Sequence, residues 1–262
     1  MGEPSTLLPL VDTHAHLNHP RLLSKLGQIL RRAREASITH VVVVGYDLPS
    51  SEKAVELAAA HPDIISASVG IHPHDASDVQ PESVERLRAL AQDPHVVAIG
   101  ETGLDFYRDL SPRDMQRQSL HQHLDLAREL SLPVIVHCRD AQEDLLSILE
   151  SRRPAPLVWH CFDGDQEHAR RALDLGAFLG FGGRLTHRAA ADLREVASQV
   201  PLNRLLLETD CPYLAPEPHR GENNEPSYLP LIAQAVARTR GCSVEEVTNA
   251  STRAARAVFR IT

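Results

Sequence analysis

The sequence predicts an α/β fold, a (β/α)8 TIM barrel formed as a single domain over residues 1–262. Three observations carry that prediction. The chain has 262 residues and 42% hydrophobic content, and a one-domain α/β barrel takes about 250 residues. Eight short apolar runs alternate with helical patterns along its length. Several runs, residues 41–44 above all, are continuously apolar rather than alternating, as in strands covered on both faces of a parallel sheet. A doubly wound open sheet is less consistent, because no G-x-G-x-x-G follows the first run.

The predicted strands occupy residues 8–13, 39–44, 64–70, 96–100, 133–137, 157–160, 177–182 and 204–208. After the first, Leu22, Leu26, Ile29, Leu30 and Ala33 keep the spacing of one helical face. Before the fifth, Ser111 reads as an N-cap and Pro112 as the first helical residue, with Asp114 three residues after Ser111. The stripe Leu120, Leu124, Ala127 follows. Residues 227–238 and 244–258 close the chain as helices.

Composition excludes several function classes. The net charge is -8, from 35 acidic and 27 basic residues, and no Lys/Arg run occurs. A non-catalytic domain that works only by gripping nucleic acid needs a basic surface, so the charge counts against that class. No apolar run approaches the roughly 18 residues of a membrane span, so no membrane partner is expected. Met1 to Asp12 has no basic stretch ahead of an apolar one, which predicts no secretory leader. Met1-Gly2 with Thr6 fits the loose myristoylation pattern, a match read as coincidence. Four cysteines, at 138, 161, 211 and 242, do not make a disulfide framework in a chain this long and fit a reducing cytoplasm. The expected oligomeric state is a monomer.

In such a barrel the chemistry belongs at the C-terminal ends of the strands. Those ends read His14-Ala15-His16, Gly70-Ile71-His72-Pro73-His74, Gly100-Glu101-Thr102-Gly103-Leu104-Asp105, His137-Cys138-Arg139-Asp140, His160-Cys161-Phe162-Asp163-Gly164 and Glu208-Thr209-Asp210. His14 and His16 end a strand, where residues i and i+2 point to one side, so both imidazoles can face the barrel axis. His121 and His123 fall inside a helix, where i and i+2 do not share a face, and are predicted to decorate the surface. Four His and two acids at the strand ends predict a metal site made of His14, His16, Glu101, His137, His160 and Asp210. Imidazoles mixed with carboxylates suit Zn²⁺, Mn²⁺, Fe²⁺, Co²⁺ or Ni²⁺, and Mg²⁺ where oxygen ligands dominate. Six donors exceed one four-coordinate ion and fit two divalent ions sharing a bridge, for which Glu101 is the natural carboxylate. A carboxylated lysine is no alternative, because the two lysines, Lys25 and Lys53, fall in helical stretches. The cysteines beside His137, His160 and Asp210 point the opposite way along their strands and pack behind the sheet. Glu208, two residues before Asp210, is a candidate to orient a metal-bound His. In a metal-free mouth Asp210 and Glu101 are expected to repel as like charges.

The motifs V-D-T-H-A-H (11–16), G-I-H-P-H (70–74), G-E-T-G-L-D (100–105), V-H-C-R-D-A (136–141), H-C-F-D-G (160–164), L-E-T-D-C-P-Y-L (207–214) and R-G-E-N-N-E-P (220–226) resemble the TatD family of metal-dependent deoxyribonucleases, in order and over nearly the whole chain. The resemblance implies a (β/α)8 barrel with two divalent ions, Mg, Mn or Zn. His14, His16, Glu101 and Asp210 would hold one, and Glu101, His137 and His160 the other. It also implies hydrolysis of DNA phosphodiesters, with DNA ends or single strands as substrate. His72, Arg139 and Arg220 fall where family members hold phosphate. In that setting Asp210 is the candidate general base, and Arg139 and His72 would offset transition-state charge. Phe162 would either stack on a base or fill the mouth. A related dinuclear metallohydrolase acting on small amide, lactone or phosphoester substrates is the alternative. The sequence departs from the family pattern at Glu222 and Asn223, where basic residues are usual, and at Thr252-Arg253, near where an Asn commonly sits.

Overall fold

The structure, a computed structural model, describes residues 8–154 and 156–261. Met1, Gly2 and Thr6, which carry the myristoylation-like match, lie outside the described residues. Eight strands form one parallel sheet in sequential order: β1 (Leu10–Ala15), β2 (Ile38–Val44), β3 (Ile65–Val69), β4 (Val96–Asp105), β5 (Val134–Arg139), β6 (Leu157–Trp159), β7 (Phe178–Phe181) and β8 (Leu205–Leu207). Short polar contacts close the seam between β8 and β1 just beyond the end of β8. Asp210 N–H donates to His14 O at 2.8 Å, and His16 N–H to Cys211 O at 2.8 Å. One layer down, Thr209 donates through N–H and Oγ1 to the Asp12 carboxylate at 2.9 and 2.6 Å. The result is the predicted (β/α)8 barrel.

The helices are α1 (Pro20–Leu23), α2 (Leu26–Glu35), α3 (Leu48–Ala60), α4 (Pro81–Leu90), α5 (Arg113–Leu130), α6 (Gln142–Arg152), α7 (Gln166–Asp174), α8 (Ala191–Gln199), α9 (Leu229–Arg240) and α10 (Val244–Phe259). Strand residues sort into two cores according to the side they face. Val41, Val43, Ile65, Val134 and Val136 pack outward with the helices. Val11, Val42, Val44, Ala98, Ile135, Val158 and Leu206 form a separate cluster with Ala254, Ala255, Val258 and Phe259 of α10. Helix α10 therefore plugs one end of the lumen, and the polar mouth is left at the other. Each fully buried aliphatic side chain contributes about 1.5–3 kcal/mol, so the continuous Val run of β2 is what a strand with two apolar faces requires. Among the described residues no helix is long and apolar enough to cross a membrane.

Three local expectations change. The first helical stripe is two pieces, because the chain turns at Ser24 and Lys25. Helix α5 begins at Arg113 with Pro112 as its N-cap. Ser111 does not cap it; its hydroxyl donates to His74 O at 2.7 Å and accepts from Ser77 N–H at 3.1 Å, tying two mouth loops together. Strand β4 runs five residues past its predicted end. A register shift against β5 between Ile99 and Thr102 brackets Glu101, and pairing resumes at Thr102 opposite Val136, with Gly103 next opposite His137. A bulge of this kind re-aims the side chain within it. Gly103 has φ +143°, and a Cβ there would lie 2.0 Å from His137 O, so only glycine lets the two strands pair this closely.

Candidate metal centre

The mouth gathers five imidazoles and the Asp210 carboxylate around Glu101, which is 3% exposed. Its two oxygens face different partners. Oε2 lies 3.4 Å from His14 Nε2 and 3.7 Å from His16 Nε2. Oε1 lies 2.8 Å from His160 Nε2, 3.0 Å from His137 Nδ1 and 3.6 Å from His72 Nε2. Asp210 Oδ1 completes the first group at 3.4 Å from His16 Nε2 and 3.9 Å from His14 Nε2. Asp210 sits at φ 55° just after β8, a left-handed conformation that an Asp tolerates better than most residues. Three overlapping donor sets lie close enough to share an ion: His14, His160 and Asp210; His14, His16 and Glu101; His72, Glu101 and His137.

The donor set fits divalent metal. His14 Nε2 and His16 Nε2 approach to 3.3 Å, and His137 Nδ1 and His160 Nε2 to 3.2 Å. Nitrogen lone pairs converging in this way are satisfied together by a cation. Partners behind the rings fix which nitrogen faces the centre. His16 Nδ1–H donates to Val44 O at 3.1 Å, which leaves Nε2 free as a ligand atom. His160 Nδ1 lies 3.6 Å from Glu208 Oε1, and His137 Nε2 lies 3.4 Å from Asp105 Oδ2.

In the metal-free protein these groups polarise one another. Burial would raise the Glu101 carboxyl, but the imidazoles of His160, His72 and His14 outweigh it and hold the group well below the usual carboxylate range. Burial would lower His160, but Glu101 and then Glu208 outweigh it and hold the imidazole well above its ordinary value. His72 goes the other way, because burial dominates and keeps the ring neutral. Burial would also raise Asp210, but its hydrogen bond with His16 and the nearby His160 and His14 hold it down. Asp210 is thus an anion ringed by imidazoles, and the expected repulsion from Glu101 does not govern it.

Other site expectations are placed as follows. Phe162 is 1% exposed and packs against Trp159 and Phe181 at ring-centroid distances of 5.1 and 6.2 Å. It fills the barrel and offers no ring face to a base, which corrects the stacking expectation. Arg139 pairs with neither Asp140 nor Asp163; its guanidinium lies 3.8 Å from the Tyr107 ring centroid. Arg220 is exposed, 4.0 Å from Glu217, and is not brought against the cluster. The R-G-E-N-N-E-P motif divides into two parts. Residues 220–223 are exposed, while Asn224 is buried and donates to Thr209 O at 2.7 Å and Tyr213 O at 2.8 Å, bracing the exit of β8. Thr252 ties α10 to the chain start through Pro9 O at 2.8 Å. Cys138 and Cys211 are buried, and no cysteine joins a candidate metal group among the described residues.

Sequence reasoning missed three residues. Asp105 accepts from Tyr107 N–H at 3.0 Å and Arg108 N–H at 2.8 Å, and it pairs with His74 Nε2 at 2.8 Å as well as facing His137. Its place four residues after Glu101 on one strand was the available signal. Asn18 donates to Val44 O at 3.0 Å and Ser50 O at 2.9 Å, fixing the carbonyl that orients His16. His123 is not surface decoration. It is 1% exposed, and its Nε2 accepts from Ile71 N–H at 3.0 Å, so it holds the loop that presents His72.

A parallel eight-stranded barrel with this donor set at its C-terminal mouth is the framework of a metal-dependent hydrolase. The family model of the TatD related DNases matches residues 11–260, and the chain belongs to that family. It is 40% identical over 254 residues to the uncharacterized metal-dependent hydrolase YabD of Bacillus subtilis, covering 96% of this chain and 99% of that one. It is 38% identical over 259 residues to a protein of Erwinia tasmaniensis named 3'-5' ssDNA/RNA exonuclease TatD, covering 96% and 100%. Its backbone is similar to the crystal structure of the Escherichia coli TatD homologue YJJV, with a TM-score of 0.93, 28% identity, and 98% of this chain and 100% of that one covered.

Proposed function

We propose that the chain hydrolyses phosphodiester bonds in DNA, at strand ends or in single strands, with two divalent ions bridged by Glu101. The observation that carries the two-ion reading is the division of the Glu101 carboxylate, with Oε2 toward His14 and His16 and Oε1 toward His137 and His160. Family membership, and the relative named as an ssDNA/RNA exonuclease, support the substrate class. One ion would be held by His14, His16, Asp210 and Glu101, and the other by Glu101, His137 and His160. His72, 3.6 Å from Glu101 Oε1, stands at the edge of the second group. A donor set richer in imidazole than in carboxylate favours Zn²⁺ or Mn²⁺ over Mg²⁺.

Bound there, the ions would supply Lewis acidity, lowering the pKa of a water and offsetting charge on phosphate oxygens. The chain's own residues do the rest. Asp210, with its side chain 12% exposed, is the ionised carboxylate that can take a proton from the attacking water at Oδ1. His72, kept neutral by burial, can donate one hydrogen bond toward phosphate without adding positive charge. Arg139, exposed at the end of β5, supplies a charged donor at the rim. The substrate test uses 5′- and 3′-labelled single- and double-stranded oligonucleotides, with EDTA or with added Mg²⁺, Mn²⁺ or Zn²⁺. The expected result is metal-restored shortening of single strands from one end. Turnover of small amide, lactone or phosphoester substrates with none of DNA would establish the alternative.

A further inference from the structure

Outside the donor cluster, one rim of the mouth carries an aromatic ring that the hydrolytic chemistry does not use. Tyr107, two residues beyond β4, is 59% exposed. Its ring is covered on one side by the Arg139 guanidinium at 3.8 Å. An exposed aromatic is ordinary by itself, but this one is held in place. Tyr107 N–H donates to Asp105 Oδ1 at 3.0 Å, and Phe106 N–H to Arg139 O at 2.9 Å. Phe106 is itself clamped from α5, with Arg113 and Arg117 at 4.3 and 5.4 Å from its ring centroid. The same Asp105 faces His137 at 3.4 Å, so one carboxylate anchors both the tyrosine and a donor of the centre. The Arg139 guanidinium makes no ion pair or hydrogen bond among the described residues, so its donors remain available.

We propose that Tyr107, backed by Arg139, is a stacking platform for the unpaired nucleobase beside the scissile phosphodiester, with Arg139 reaching the adjoining phosphate. This rests on the phosphodiesterase reading above. A π-face accepts any base, so the platform confers no sequence preference. It does discriminate by strandedness, because a paired base must first leave its own stack to occupy the ring.

The test compares wild type, Tyr107→Phe, Tyr107→Ala and Arg139→Met, all loaded with Mn²⁺. Each is assayed on a single-stranded oligonucleotide and on an abasic strand of equal length. With Tyr107→Ala, KM for the base-bearing strand is expected to rise about tenfold to a hundredfold, the scale of losing one base–aromatic stack. KM for the abasic strand and kcat on both should stay near wild type. Tyr107→Phe should match wild type on both substrates, because the ring and not the hydroxyl does the work. Arg139→Met should raise KM on both. Equal losses on both strands in Tyr107→Ala, or no loss on either, would overturn the platform while leaving the nuclease reading intact. Failure of wild type to cut either strand would overturn the nuclease reading and the platform with it.

Discussion

The two sides of Glu101 are built differently. On the Oε2 side, His14 and His16 come from consecutive positions of one strand face and are 0% and 6% exposed. His16 is steered by a backbone carbonyl, Val44 O. On the Oε1 side, His137 and His160 come from separate strands, and His137 is 18% exposed. A carboxylate stands behind each ring: Asp105 for His137 and Glu208 for His160. A carbonyl only fixes a tautomer, whereas a carboxylate also makes the imidazole a stronger donor. Asp210 compensates on the first side by contributing a carboxylate directly. One side therefore holds Asp210, the proposed proton acceptor, in a buried frame. The other relies on carboxylates behind its rings, of which His137 lies nearer the rim.

Removing the group the two sides share should have the largest effect. Glu101→Ala takes a donor from both, so metal content by elemental analysis should fall from near two ions per chain toward zero. Activity should fall about 10³-fold or more, since ions at such a site supply several kcal/mol of charge stabilisation. Near wild-type metal content in this variant would show that the two groups are independent and that Glu101 does not bridge them.

Asp210→Asn and Asp105→Asn then separate the sides. Asp210→Asn keeps the size and one oxygen ligand but removes the proton acceptor. kcat at saturating metal should drop roughly 10²–10⁴-fold, while metal content falls only in part. Its stability in EDTA should also fall. Burial pushes the Asp210 carboxyl up, but His16, His160 and His14 hold it below its usual value of 3.8. A depressed carboxyl contributes stability above its unfolded pKa and loses it as pH falls through the folded one. The Tm deficit of the variant should therefore be full at pH 7 and shrink once pH drops below about 3.8. Asp105→Asn should act on the other side alone, weakening one of two ions by about tenfold to a hundredfold, the usual cost of losing such a partner. Titration calorimetry showing both ions weakened equally would break the contrast between the sides.

How much of this was legible in the sequence follows the same division. The barrel rule that chemistry sits at the C-terminal mouth singled out six candidate donors, and the structure brings those six side chains together. The supporting residues could not be read in that way. Asp105 lies beyond the predicted end of β4, because the shift around Glu101 and the glycine at 103 prolong pairing in a manner periodicity does not encode. For Phe162 the sequence left stacking on a base and filling the mouth both open, and only the fold decides: β6 ends at Trp159, Cys161 turns at φ 45°, and the ring is buried. Asn224 sits in a polar loop that reads as solvent-facing until β8 is seen to need its amide. His123 was dismissed by a sound rule. Residues i and i+2 of a helix do not share a face, but one of them can still be the buried one.

His123 gives the smallest effect and the sharpest test of how the rim of the second side is held. Its ring sits in the interior of α5, accepting from Ile71 N–H through Nε2 and donating from Nδ1 to Ser119 O at 2.7 Å. That arrangement needs the neutral ring, because a protonated Nε2 cannot accept. Burial pushes its pKa from 6.5 down to about 4, against the hydrogen bond to Ser119. Between those values the unfolded chain binds a proton that the folded chain refuses, so stability falls as pH drops from 6.5 toward 4. One such proton is worth about 1.4 kcal/mol per pH unit. His123→Gln keeps an acceptor for Ile71 N–H and removes the titration. Its stability at pH 7.5 should lie slightly below wild type, and its slope between pH 6.5 and 4 should be shallower by up to one proton. Urea unfolding at several pH values in EDTA measures both. Parallel slopes for the two proteins would show that the ring titrates normally. The loop carrying His72 would then be held to the barrel by something other than this hydrogen bond.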